Sequence, residues 1–443
     1  MVRRLVRRFG VPVLEATVLG ATVLGVPVLG ATLVLARGAD AQTCPSSAEL
    51  TKGMQLPLAA VRFLADDRLE GRRAGTRGEQ CAGDYIAREF ERIGLRPAGE
   101  QGYFQSLPLA SALNPHDAGG TGRNVIAALD GADASLKREW IVIGAHYDHL
   151  GDGGSGSLIQ ERGIHNGADD NASGVAVMLR AAERLAAGPR PARSVLFIAF
   201  TGEEEGLLGS TYFVTHSTVG AAPLVGMINL DMVGRLGRGP LITYGVDTAD
   251  EWKGLLDPAA ARAGVTLATR GEGYGPSDHT SFYVKDVPVL HFFTNTHPDY
   301  HRPTDDWQRI DGPGMDVVAT LVSDVATQVA NRRPTALTLR RGAGKPPGAS
   351  SQMASGSTYL GTIPDFTPVD HGVKISGVTA GSPAATGGLL GGDVIVGMGT
   401  RDVADLQGLT DALQAHKPGQ TVDVRVIRDG KEVALKVTLG ARK

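Results

Sequence analysis

A cluster of histidine and aspartate directly after an apolar run constrains this chain more than any other feature. The run at residues 140–145 is short and rich in β-branched residues, which predicts a buried parallel strand. His146 and Asp148 then lie at its carboxyl end, where open α/β sheets place their ligands. About twenty residues later, an acidic loop at 169–171 leads into 174–187, which has apolar residues at helical spacing. Together these segments predict half of a metal site.

Length and charge limit the classes of protein to consider. A chain of 443 residues favours two domains with appended segments over a single core. The formal net charge is −3 with both signs dispersed, which favours neither a nucleic-acid groove nor a polybasic membrane patch. No nucleic-acid partner is therefore expected.

Residues 1–41 have the composition of a signal peptide. Several arginines precede an almost wholly apolar stretch at 11–36, and the Ala-Asp-Ala sequence at 39–41 provides a cleavage signal. The prediction is an exported protein, periplasmic or secreted. Because the apolar stretch is long, an uncleaved membrane anchor is the alternative. In an oxidising compartment Cys44 and Cys81 can form a disulfide, the alternative being two buried thiols.

The region that follows alternates strand-like and helical patterns. Five apolar runs predict buried strands, at 124–129, 140–145, 194–200, 224–230 and 287–293. Amphipathic patterns predict helices at 50–66, 82–93, 174–187 and 316–330. This alternation predicts an α/β fold, a three-layer α/β/α sandwich with a mostly parallel central sheet.

The side chains that follow these strands are those that a two-metal site requires. Zinc binds imidazole nitrogen and carboxylate oxygen, and a pair of ions needs a bridging carboxylate plus a histidine and a carboxylate for each ion. Five residues supply that set: His146, Asp170, Glu204, Asp231 and His301. Hydrolysis at such a site also needs a base that is not a ligand, and Glu203 is the candidate.

Five motifs in this order resemble the co-catalytic dizinc aminopeptidase family, part of the bacterial aminopeptidase and glutamate carboxypeptidase superfamily. They are GAHYDHLG, GADDNASG, TGEEEGLLGS, NLDMVG and YHRPTDD. The resemblance spans nearly all of 48–333 and implies two Zn²⁺ ions per chain. His146 and Asp231 would bind one ion. Glu204 and His301 would bind the other, with Asp170 as the bridge.

The resemblance also implies roles for residues that do not bind metal. Glu203 would be the general base and then the acid, and Asp148 would orient the imidazole of His146. Either Tyr274 or Tyr300 would donate a hydrogen bond to the oxyanion, and the sequence does not decide between the two.

The remaining polar residues of these motifs are interpreted as structural. Asp278 would support a loop, and Asp305 and Asp306 would cap the following helix. Five histidines are assigned to structural or surface positions: His149, His165, His279, His291 and His297. The family also implies a cis peptide between Asp170 and Asn171.

A second domain is predicted after a Gly-, Pro- and Ser-rich linker at 334–357. In 358–443, short strand-like runs surround one predicted helix at 405–415, and the sequence at 381–399, GSPAATGGLLGGDVIVGMG, resembles the PDZ domain. That resemblance implies that the loop at 359–361 receives a peptide carboxylate and that the ligand adds as a strand. A purely structural β-domain is the alternative.

These observations predict an exported zinc metallo-aminopeptidase, with its peptidase domain at 42–333, that acts on peptides with a free N-terminus. The alternatives are a carboxypeptidase or glutaminyl cyclase of the same superfamily, or a non-catalytic PDZ adaptor. Related cyclases use one zinc ion, whereas this chain has the full two-ion set. A carboxypeptidase needs a cationic pocket, and no cluster of Arg or Lys stands out near the motifs, which leaves Arg235, Arg270 and Arg302 as the open candidates. The complete set of ligands and base argues against an adaptor.

Overall fold

A computed structural model describes residues 44–109, 120–154, 156–159, 162–237, 239–344, 358–365, 369–379, 381–404, 408–409, 412–413 and 415–441. The predicted signal peptide, residues 345–357 of the predicted linker and part of the predicted helix at 405–415 lie outside these ranges. Within the described ranges, no helix has the length and apolar character needed to cross a membrane.

A nine-stranded mixed sheet forms the centre of the first domain. Its strands are β1 (Arg96–Pro97), β2 (Phe104–Pro108), β3 (Thr121–Leu129), β4 (Trp140–His146), β5 (Ser194–Phe200), β6 (Leu224–Leu230), β7 (Leu241–Tyr244), β8 (Leu267–Thr269) and β9 (Val289–Phe293). Their spatial order is β1-β3-β5-β4-β6-β9-β7-β8, and β2 pairs with β3. The central strands β5, β4, β6 and β9 are parallel, whereas β3 and β7 join them antiparallel. The predicted mostly parallel sheet is confirmed.

Helices cover both faces of this sheet. They are α1 (Ser47–Leu50), α2 (Leu58–Leu64), α3 (Arg77–Ile93), α4 (Gly174–Ala187), α5 (Leu208–Thr215), α6 (Trp252–Ala263), α7 (His279–Tyr283) and α8 (Gly312–Asn331). Alternate residues of a strand point to opposite faces. Accordingly, Ile141 and Ile143 pack in one core with α4 and α8, whereas Val142 packs in a second core with Phe213 and Phe282. This arrangement is the predicted three-layer sandwich.

The sequence patterns missed some elements and misplaced others. The predicted helix at 50–66 is interrupted, because Pro57 lacks the N–H that a helix interior needs, so α2 begins only at Leu58. Strands β1, β2, β7 and β8 were not predicted, since runs of two to five residues carry little periodicity. Helix α6 was also missed; it contains Pro258, a residue that usually ends a helix.

Two expectations about covalent structure are confirmed. Cys44 and Cys81 form a disulfide, which ties the segment before α1 to helix α3. The peptide bond between Asp170 and Asn171 is cis.

The C-terminal region has its own sheet and apolar core. Its elements are β10 (Thr358–Tyr359), β11 (Thr362–Pro364), β12 (Val373–Val378), α9 (Pro383–Thr386), β13 (Val394–Met398), β14 (Arg401–Asp402), β15 (Thr421–Arg428), β16 (Lys431–Thr438) and β17 (Gly440–Ala441). The main sheet has the order β11-β12-β13-β15-β16, so β11 is an edge strand. Residues such as Ile375, Ile395 and Val424 form a core separate from that of the first domain.

Candidate metal centre and active site

The carboxyl ends of the central strands bring the acidic and histidine motifs together. His146 is the last residue of β4, and Asp231 follows β6 directly. Glu203 and Glu204 follow β5, and the kinked turn before α4 supplies Asp170. Neighbouring parallel strands end at the same sheet edge, so side chains far apart in sequence meet there.

The carboxylate of Asp170 lies between two imidazoles. Its Oδ1 is 3.3 Å from His146 Nε2, and its Oδ2 is 3.1 Å from His301 Nε2. Each oxygen therefore faces a different histidine. A carboxylate that bridges two metal ions needs this arrangement of donors.

Two groups of side chains have ligand atoms within 4.8 Å of one another: His146, Glu203 and Asp231, and His149, Asp170 and Glu204. In the first group, His146 Nε2 is 3.4 Å from Asp231 Oδ1 and 4.0 Å from Glu203 Oε2. In the second, Glu204 lies between two histidines, 2.7 Å from His149 Nδ1 and 3.5 Å from His301 Nε2.

His149 is a member of the site that sequence reasoning assigned elsewhere. It is buried, and its Nε2 has no hydrogen-bond partner among the described residues. The one sequence signal was its position three residues after His146 in the same motif. The structure therefore adds a third imidazole to the two that were predicted.

The charges of these side chains depend on one another. Burial opposes the charged form of His301, but Glu204 and Asp170 outweigh it and raise its pKa to about 9. Burial likewise opposes a charge on His146, yet Glu203 and Asp231 raise its pKa well above the usual value. Burial works against ionisation of Asp170 too, and the bonds to both histidines hold its pKa well below the usual range.

This pattern fits a bound cation. Buried carboxylates require positive charge close by, and here protonated imidazoles supply it. A metal ion binds the neutral imidazole and takes the place of those protons. The donors are nitrogen and carboxylate oxygen, the set that zinc accepts. The residues present are therefore suited to zinc.

Asp148 contacts two parts of the site. His146 Nδ1 is 3.2 Å from the main-chain carbonyl of Asp148 and 3.7 Å from its carboxylate. The same carboxylate accepts a hydrogen bond of 3.2 Å from the N–H of Glu203. Asp148 thus orients the imidazole mainly through its backbone, while its side chain holds the turn after β5.

The two candidate tyrosines have different surroundings. The ring of Tyr300 stacks on His301 with the centroids 3.9 Å apart, whereas Tyr274 packs edge-on against Tyr283 at 4.9 Å. Burial raises the pKa of Tyr300 well above its usual value, and the carboxylates of Asp170 and Glu204 raise it further. The Tyr300 hydroxyl is therefore close enough to the acidic centre to be influenced by it.

Asp305 has a different role from the predicted helix cap. Helix α8 is capped by Asp311, whose carboxylate accepts from Gly314 N–H. Fully buried Asp305 instead accepts from the N–H groups of Asp169 (2.8 Å) and Asp170 (3.1 Å) and pairs with Arg235 at 2.9 Å. The cap prediction was wrong for Asp305, because its N–H partners lie 136 and 135 residues away in sequence and Arg235 lies 70 residues away.

Comparison with known families identifies the domain that holds these residues. Residues 124–326 match the model of peptidase family M28, and residues 359–439 match a PDZ domain. The chain carries an M28 peptidase domain and a PDZ domain. Every predicted site residue lies in the matched M28 range.

Curated relatives of the M28 domain include peptidases. Leupeptin-inactivating enzyme 1 of Streptomyces exfoliatus is 28% identical over 284 residues, which cover 60% of this chain and 59% of that protein. Aminopeptidase YwaD of Bacillus subtilis is 29% identical over 186 residues, 40% of each chain. The match thus covers little more than half of the Streptomyces protein's length and less than half of the Bacillus protein's length.

Solved structures share the fold. A Zn-dependent exopeptidase from Parabacteroides distasonis superposes with a TM-score of 0.51 at 19% identity, covering 64% of this chain and 99% of that one. A glutaminyl cyclase from Porphyromonas gingivalis gives the same TM-score at 21% identity, covering 61% and 96%. At such identities the likeness concerns the fold of the M28 domain alone.

The Asp305 contacts predict a large loss of stability in Asp305→Ala. The substitution leaves Arg235 and two buried N–H groups without this partner, which costs about 3 kcal/mol. The free energy of unfolding can be followed in urea by tryptophan fluorescence, because Trp140, Trp252 and Trp307 all lie in the first domain. Asp306→Ala is the matched control, since partly exposed Asp306 accepts one bond from Asn166. Equal stability of the two variants would contradict the assignment.

Proposed function

We propose that this protein is an exported, zinc-dependent aminopeptidase that removes N-terminal residues from peptides. The observation that carries the proposal is the position of Asp170 between His146 and His301. Asp231 lies beside the first histidine and Glu204 beside the second. The M28 match and the aminopeptidase and metalloprotease relatives support the same reaction class.

In this proposal two zinc ions bind per chain. His146 and Asp231 would hold one, Glu204 and His301 would hold the other, and the carboxylate of Asp170 would contribute to both. When bound, the ions polarise the scissile carbonyl and make water a stronger acid. His149 lies 2.7 Å from Glu204 and orients that carboxylate.

Glu203 is the proposed proton carrier. It takes a proton from the attacking water and delivers it to the leaving nitrogen. Burial raises its pKa well above the usual value, His146 opposes the shift, and the carboxylates of Glu204 and Asp231 add to it. A raised pKa makes the carboxylate a stronger base, and bound cations counteract part of the shift. Its N–H bond to Asp148 fixes the backbone of this residue.

Tyr300 is the proposed donor to the oxyanion. Its ring is held against His301, and its hydroxyl has a raised pKa and so stays protonated at neutral pH. A preorganised O–H donor stabilises the charge that develops on the carbonyl oxygen. The packing of Tyr274 on Tyr283 favours a structural role for Tyr274.

The structure gives a reason to rank the carboxypeptidase alternative lower. Arg235 is ion-paired with Asp299 at 3.1 Å and with Asp305 at 2.9 Å, so its charge is already balanced. Arg270 lies over the ring of Tyr244 at 5.9 Å. A pocket for a substrate carboxylate needs a cation whose charge is directed at the ligand, and the ion pairs of Arg235 direct its charge at Asp299 and Asp305. Arg302, whose buried Nε has no hydrogen-bond partner among the described residues, is the candidate left for such a pocket.

The disulfide supports the proposed export. Stable disulfides form in oxidising compartments and are rare in the reducing cytosol. Cys44 and Cys81 are the chain's two cysteines, and they are joined. A periplasmic or secreted location therefore remains our proposal. We further propose that the PDZ domain recruits peptides by their C-terminal carboxylate.

The function is tested with one peptide blocked at either end. We expect release of the first residue from the C-amidated peptide and no cleavage of its N-acetylated counterpart, as followed by mass spectrometry. A metal chelator should abolish release, and added Zn²⁺ should restore it. Shortening from the C-terminus would indicate a carboxypeptidase. Loss of ammonia from an N-terminal glutamine without shortening would indicate a cyclase.

Glu203→Gln should retain zinc and lose turnover. An amide cannot accept the proton, and general-base catalysis typically contributes about 10²–10⁴-fold. The measurements are kcat on an aminoacyl amide and zinc content by elemental analysis. Glu205→Gln is the control, because Glu205 pairs with Arg73 at 3.4 Å on the surface and should keep wild-type turnover. Unchanged activity of the Glu203 variant would refute its role.

Removal of the Tyr300 hydroxyl should slow the reaction more than removal of the Tyr274 hydroxyl. Loss of one oxyanion donor typically costs about 10²–10³-fold in kcat. We therefore expect a decrease of that size for Tyr300→Phe and wild-type kcat for Tyr274→Phe, with similar KM values in both. The reverse order would assign the oxyanion donor to Tyr274.

A further inference from the structure

The PDZ domain contacts the M28 domain at the loop that leads to the metal site. This loop, residues 294–296, follows strand β9. Asn295 Nδ2 donates a hydrogen bond of 2.6 Å to Asp365 Oδ1, and the Thr296 hydroxyl donates to the carbonyl of Pro364. Ser376 Oγ lies 3.5 Å from both the Thr296 hydroxyl and the Pro364 carbonyl oxygen.

The loop is anchored beside two metal-ligand candidates. The backbone N–H and the hydroxyl of Thr294 both donate to the carbonyl of Met232, the residue after Asp231. At the other end, His297 Nε2 is 3.1 Å from the carboxylate of Asp169, the residue before Asp170. The loop is therefore held at each end by a residue that adjoins a metal-ligand candidate.

Alternation along β11 places the Pro364 carbonyl on the side away from β12, although the register of this strand pair shifts between Ile363 and Pro364. Gly361 C=O accepts from Thr379 N–H, and Asp365 N–H donates to Lys374 C=O, so both residues face β12 or its extension. In an antiparallel strand the residues that bond to one neighbour alternate with those that face away from it. Thr362 and Pro364 thus present their backbone groups at the open edge of β11, where an added strand would bond.

Thr296 therefore occupies a position that a peptide would need. The Thr296 hydroxyl donates to the Pro364 carbonyl oxygen, and the Ser376 hydroxyl lies 3.5 Å from the same oxygen. A peptide strand that extends along β11 brings its own N–H to this oxygen. Thr296 reaches the oxygen from the other domain, so its hydroxyl is the donor that the peptide N–H would displace.

We propose that a peptide bound by its C-terminal carboxylate along β11 displaces Thr296 from Pro364 and so changes the activity of the metal site. The PDZ ligand is then an effector of the peptidase in addition to any recruited substrate. The effect on rate rests on the proposed aminopeptidase function, whereas the competition for the carbonyl does not. A ligand shifts an equilibrium because its affinity differs between two states. Here the two states are the one in which Thr296 is bonded to Pro364 and the one in which it is released.

Binding gives the first test. The probes are hexapeptides that carry an N-terminal fluorescein cap, randomised last four residues and a free C-terminal carboxylate. The control is the same pool with an amidated C-terminus, and both are tested on the full chain. The best binder is then titrated by fluorescence anisotropy. We expect carboxylate-dependent binding that is at least about three-fold tighter to Thr296→Val, which keeps the side-chain shape and loses the competing hydroxyl. Thr421→Val, which changes a Thr421–Thr438 hydroxyl pair on β15 and β16, is the matched control and should bind as the wild type does.

Rate gives the second test. The cap blocks the amine of the peptide, so the enzyme does not consume it, and a leucine anilide that is too short to reach the PDZ domain reports the metal site. Saturating peptide should change kcat/KM at least about three-fold in the wild type and in Thr421→Val, and much less in Thr296→Val.

Three results would overturn the proposal: binding that does not need the carboxylate, equal affinity of Thr296→Val and wild type, or binding without a change in rate. If the anilide is not hydrolysed by any of the proteins, the aminopeptidase proposal fails, and the affinity comparison still decides whether Thr296 competes with the peptide.

Discussion

Concentrated negative charge away from water is the constraint on which the rest of this structure depends. Five carboxylates, those of Asp148, Asp170, Glu203, Glu204 and Asp231, meet at one sheet edge with little exposure. Charges in such surroundings destabilise a fold unless opposite charges or hydrogen bonds compensate them. Three histidines lie among the carboxylates, and the whole donor set suits divalent cations. The site is therefore stable only together with its positive partners.

Part of that compensation comes from a residue outside the motifs. Arg72 is fully buried and donates to the carbonyls of Leu64, Tyr147, Asn166 and Gly167 at 2.5–3.0 Å. Burial lowers its pKa to about 10, against the opposing influence of the nearby aspartates. The guanidinium thus remains charged at neutral pH, and its carbonyl partners join both motif loops to the segment after α2. A cation fixed by neutral acceptors leaves the carboxylates available to a metal.

Sequence predicted the parts of the site that follow directly from strand ends and recognisable motifs. His146, Glu204 and Asp231 each come just after a buried apolar run, and parallel strands carry such residues to one edge whatever their separation in sequence. The partners of Arg72 and Asp305 lie up to 136 residues away and are mostly backbone groups, so no local pattern indicates them. His149 lay within a recognised motif, but a single histidine does not reveal which way its ring points. The short edge strands were missed because their pairing, more than their composition, makes them strands.

The link between the two domains follows from the same charge constraint. The segment that carries Tyr300 and His301 must approach the carboxylates closely, and the turn before it is held on both sides, by Met232 and by Asp169. A loop fixed in that way has little freedom of its own. Its partly buried residues Asn295 and Thr296 are nevertheless the ones that contact the PDZ edge strand. Coupling between two sites is carried by contiguous hydrogen bonds and packed side chains, and such contacts connect Pro364 to Thr296, five residues along the chain from His301.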